Sequence, residues 1–110
     1  MDELQELVLD EFLDEEKLHK LIFRVKVNSD RTIVHSFVIL YAAKLNGKNH
    51  EIIKFDAKPG EGLHVHTYYS VPIERKLLHD PLNSETLEKL LYRVKQNWQW
   101  YYSQYKERYL

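Results

Sequence analysis

Asn46-Gly47 lies between two runs rich in β-branched and aromatic residues, 32–45 and 48–57. Asn and Gly tolerate the two left-handed positions that a two-residue hairpin loop demands, so the pair predicts an antiparallel hairpin. A tight turn also fixes register, and register decides which side chains share a face. Leu45 is expected opposite Lys48, which sets Leu40 opposite Ile53, Val38 opposite Phe55 and Ser36 opposite Ala57 on one face. Tyr41 with Ile52, Ile39 with Lys54 and Phe37 with Asp56 then share the other.

Strand parity extends in both directions. Leu21, Phe23, Val25 and Val27 alternate with Ile22, Arg24, Lys26 and Asn28, which predicts a strand before a turn at 28–31. A four-residue loop there pairs Val27 with Thr32, Val25 with Val34 and Arg24 with His35. After the turn at Lys58-Pro59-Gly60-Glu61-Gly62, Leu63 and Val65 belong with the apolar face of a fourth strand over 63–70. His64, His66 and Tyr68 point the other way. Leu4, Leu7, Val8 and Phe12 recur at helical spacing behind a capping Asp2, and predict an N-terminal helix. Pro72 and Pro81 mark an irregular connection. Asn83 or Ser84 then caps a long helix carrying Leu87, Leu90, Leu91, Val94, Trp98, Tyr101, Tyr105 and Tyr109 as one stripe. The expected fold is one α+β domain over 1–110, of order αββββα. It comprises an acidic helix at 1–19, a four-stranded antiparallel meander at 20–70, and a C-terminal helix at 83–109.

Composition narrows the function classes. A chain of 110 residues suits one core. The absence of cysteine excludes disulfides, thiolate metal sites and thiol catalysis. No apolar run is long enough to cross a bilayer as a helix, and Met1-Asp2-Glu3 is unlike a secretory leader, so a cytoplasmic protein is expected. The net charge of −1 hides a division: eight acids and no base fall within 2–16. After residue 16, sixteen Lys and Arg face nine acids, a surplus of seven. Such a body attracts polyanions, and the acidic arm is placed to shield it.

The outer face is expected to be mixed. Its apolar end, Phe37, Ile39, Tyr41 and Ile52, needs cover from the N-terminal helix or from a second subunit. Its polar end gathers Arg24, Lys26, His35, Lys54, Asp56, His64 and His66. Two imidazoles two residues apart on a strand stand roughly 6.5–7 Å apart at Cα. Paired imidazoles can take and give a proton near neutrality, with Asp56 orienting one of them. Arg24, Lys54 and His35 are the candidate phosphate contacts, and the chemistry suits cleavage of RNA through its own 2′-hydroxyl. No cofactor is required; the alternative is a divalent metal held by His64, His66 and Asp56. The aromatic run from Trp98 to Tyr109 reads mainly as core, with Trp100 off the stripe and suited to an interface.

Lys54-Phe55-Asp56-Ala57, the glycine turn and His64-Val65-His66 together resemble the hallmark segment of the TumE-type toxin family of prokaryotic toxin–antitoxin modules, over about residues 20–70. The family's His-rich turn is here Lys58-Pro59-Gly60-Glu61-Gly62. The resemblance implies a small toxin component with a cognate antitoxin, and Asp56, His64 and His66 as its site residues. A toxin-like domain that binds or cleaves RNA is one expectation. A non-enzymatic interaction module working as a homodimer is the alternative.

Overall fold

The computed structural model describes residues 3–109. Six strands in sequence order form one antiparallel sheet. They are β1 (Gln5–Phe12), β2 (His19–Val27), β3 (Val34–Leu45), β4 (Lys48–Lys58), β5 (Gly62–Thr67) and β6 (Glu74–Leu78). One helix, α1 (Ser84–Tyr109), follows and packs over β3 and β4. Asn83 caps it, with Oδ1 accepting from the Thr86 N–H at 2.9 Å. Its buried stripe, Leu87, Leu90, Val94 and Tyr101, joins the core under Phe37, Ile39, Tyr41 and Phe55.

Among the described residues the predicted N-terminal helix is absent, and the sheet has six strands instead of four. Residues 5–12 form an edge strand paired with β2 along their whole length, Gln5 opposite Val27 to Phe12 opposite Lys20. Helical and alternating spacing coexist in this stretch, so periodicity alone does not choose. A lone helix this short is marginal in water, and α1 already covers the apolar face. The strand instead satisfies the free edge of β2 and sets acids beside bases: Glu6 opposite Lys26, and Asp10 in an ion pair with Lys20 at 3.1 Å. Asp2, expected to cap the helix, lies outside the described residues. The connection after Pro72 likewise contains a strand, β6, paired with β5.

The Asn46-Gly47 hairpin forms as expected, both residues at positive φ, with Leu45 opposite Lys48. Two irregularities then break the register that rigid propagation predicts. Val27 pairs with Val34 and Lys26 with Ser36, leaving His35 as an extra residue; Arg24 faces Val38, not His35. Near the other end Ala42 pairs with Glu51 and Tyr41 with Ile53, leaving Ile52 extra. Each bulge flips parity once. The segment 36–41 is therefore inverted: Phe37, Ile39 and Tyr41 are in the core, and Val38 and Leu40 lie on the outer face. An unbroken register would bury Ser36 and expose Phe37, which forfeits roughly 2–3 kcal/mol for that exchange alone. A ladder hydrogen bond handed to water at a bulge costs about 1 kcal/mol. The apolar outer patch that would have needed a second subunit is thus occupied within the chain.

Candidate active site

Because α1 takes one face, the other face of the sheet is left open, and its side chains fall into rows across the strands. One row runs Arg24, Val38, Asp56, His64, Leu77; the next runs Ile22, Leu40, Lys54, His66, Arg75. Adjacent strands stand about 4.8 Å apart and same-face neighbours along a strand about 6.8 Å apart. Every expected polar residue of this face is therefore present in an ordered grid, except His35. That histidine is the bulged residue, exposed, and borders a depression of about 490 Å³ with Lys26, Lys58 and Glu61.

His66 is flanked by two cations, Lys54 on β4 and Arg75 on β6. Burial pushes its pKa below 6.5, and Lys54 and Arg75 push it further down, against a smaller opposing pull from Asp56. It is a neutral base near pH 7. Arg75 is the functional candidate that sequence reasoning missed. The strand that carries it has only five residues and sits between Pro72 and Pro81, which disguise it as a loop.

Asp56 lies opposite His64 in register, yet its Oδ1 is closed off from water and has no hydrogen-bond partner. An orphaned buried acceptor costs about 1–3 kcal/mol, and such a cost in a polar cleft marks a place where a ligand can repay it. The carboxylate borders a depression of about 230 Å³ over Ser36 and Val38, with Arg24 and Lys26 on its far side. Among the described residues no three His, Asp or Glu side chains converge in the manner of a metal cage.

Two further histidines are structural. His19 is buried, with Nδ1 2.7 Å from the Tyr41 hydroxyl and its ring 4.5 Å from those of Trp98 and Tyr102. His50 Nδ1 lies 2.9 Å from the Tyr105 hydroxyl. Both tie the C-terminal half of α1 to the sheet. Tyr109 adds a hydroxyl donated to the Ser70 carbonyl at 2.9 Å.

The chain matches the domain of unknown function DUF7718 over residues 3–109. It belongs to the DUF7718 family. No curated protein and no solved structure matches it. The match spans all six strands and the helix, so in this DUF7718 chain the open face belongs to the family domain itself. No helix among the described residues is long and apolar enough to cross a membrane.

Proposed function

We propose that this chain is a cytoplasmic toxin-like domain of a toxin–antitoxin module that cleaves RNA on the open sheet face, with a cognate antitoxin as its partner. The observation that carries the reading is the pairing of His64 with His66 beside Lys54 and Arg75 on an uncovered surface. The resemblance of residues 54–66 to the TumE-type segment supports it.

His66, neutral near pH 7, removes the proton from a ribose 2′-hydroxyl. The 2′-oxygen attacks the adjacent phosphorus, and the P–O5′ bond breaks. His64, as the general acid, gives a proton to the departing 5′-oxygen. The products are a 2′,3′-cyclic phosphate and a 5′-hydroxyl. The two histidines stand about 6.8 Å apart at Cα along the strand, a spacing that leaves room for one phosphate between side chains of one face. Lys54 and Arg75 hold its non-bridging oxygens, where they also steady the charge that grows during attack.

Incubation with end-labelled single-stranded RNA tests this. Wild type should yield fragments ending in cyclic phosphate, unaffected by chelator. His64→Ala/His66→Ala should lose about 100-fold or more in rate, with a melting temperature within about 3 °C of wild type. Because the base must be deprotonated and the acid protonated, the rate should follow a bell-shaped pH profile whose acid limb lies below pH 6.5. Absence of any cleavage by wild type, or equal cleavage by the double variant, overturns the reading.

A further inference from the structure

The depression that Asp56 borders is lined by side chains of opposite hydrogen-bonding sense, Arg24 and Lys26 with Glu6 on one side and Asp56 on the other, and we infer that it is a guanine subsite. The inference rests on the RNA reading above and deepens it by naming the base. Arg24 and Asp56 flank Val38 from the two neighbouring strands, β2 and β4. Two strand spacings separate them, about 10 Å at Cα. Arg24 only donates and an ionised Asp56 only accepts, and among the described residues no ion pair engages either one. Val38 forms an apolar floor between them, half-buried on the sheet.

A ligand that fits must present acceptors on one edge, donors on the opposite edge and a flat apolar face between. Guanine does so. Its O6 and N7 match the fork of an arginine, and its N1–H and N2–H₂ present two parallel donors to a carboxylate. Adenine carries its amino donor beside N7 and has no 2-amino group; the pyrimidines lack the second ring. The cavity, about 230 Å³, is below the ~300–1,000 Å³ that encloses drug-sized ligands, so it suits one base rather than a whole cofactor. Lys26 and Lys58 at its rim are placed for the flanking phosphates.

The orphaned Asp56 Oδ1 is the second observation. Rotation about the last side-chain bond of an aspartate meets little resistance, so either oxygen can turn to the depression, and the base supplies the donor that the protein withholds. The same row places His64 next to Asp56. A guanine seated there therefore presents its own 3′-phosphate toward the histidines, and cleavage follows guanosine.

Fluorescence anisotropy with labelled hexanucleotides, one G, A or C in a background of U and 2′-O-methylated throughout so that they cannot be cut, decides the matter. Wild type should bind the G oligomer about tenfold more tightly than the A oligomer, the discrimination of one good bidentate contact. Asp56→Asn offers one donor and one acceptor, a pattern that suits adenine, so its G-to-A ratio should fall to one or below. Arg24→Gln should also lose the preference, which covers the case in which the Asp56 variant fails to fold. RNA binding by wild type with equal affinity for G and A overturns the guanine subsite and leaves the RNA reading standing. So does a preference that survives both substitutions. No binding of any oligomer at low salt overturns both.

Discussion

Among single side chains, His19 best joins burial to a measurable consequence. Desolvation lowers its pKa below 6.5, and the opposing pulls of Asp14 and Glu16 are smaller. The folded state thus holds the ring neutral, while the unfolded chain protonates it near 6.5. More protons bind to the unfolded state in that window, so stability is full above about pH 6.5 and declines as the pH falls toward the folded pKa. Denaturant melts between pH 7.5 and 5 should show that decline. His19→Phe keeps a ring against Trp98 and Tyr102 but leaves the Tyr41 hydroxyl without its partner. It should cost about 1–3 kcal/mol at pH 7.5 and flatten the acid side of the profile. An unchanged acid slope would assign the pH dependence elsewhere.

At the scale of elements, β1 is the informative one. Its acids are built into a sheet edge by eight register pairs, an ion pair from Asp10 to Lys20, and another from Glu11 to Lys95 of α1 at 3.0 Å. Of the eight acids within 2–16, Glu6, Asp10 and Glu11 are therefore fixed in a sheet strand, and Glu6 borders the depression beside Arg24 and Lys26. Removal of residues 1–12 should bare the β2 edge and produce oligomers in sedimentation. A truncated chain that stays monomeric with an unchanged melting temperature would make the arm detachable. The hairpin at Asn46-Gly47 was legible because positive φ at both residues has a local chemical cause. The bulges at His35 and Ile52 were not, because nothing local requires them. They arise where Phe37, Ile39 and Tyr41 compete with Val38 and Leu40 for one core. Asp56 and His64 share the outer face as strand parity predicts, since β4 and β5 keep unbroken register.

For the whole molecule, the decisive arrangement is one sheet with a helix on a single face. The open face carries Arg24, Lys26, Lys54 and Arg75, with Asp56 among them and Glu6 and Asp10 along its β1 edge. If Lys54, Arg75, Lys26 and Lys58 meet phosphates, the logarithm of the RNA affinity should fall against the logarithm of salt with a slope of about −2 to −3. Lys54→Gln/Arg75→Gln should reduce that slope by about one to one and a half. A slope near zero would mean that the basic face does not meet phosphates.

Local signals along the chain were enough for the meander from β2 to β5, the long capped helix, and the placing of His64, His66, Lys54 and Asp56 on one side. Each follows from turn chemistry or period, which act within a few residues. That residues 5–12 are a strand, that 36–41 are inverted, and that Arg75 stands beside His66 emerges only in the packed molecule. Those outcomes depend on a shared edge and a shared core, where segments distant in the chain compete for the same apolar surface and the same backbone partners.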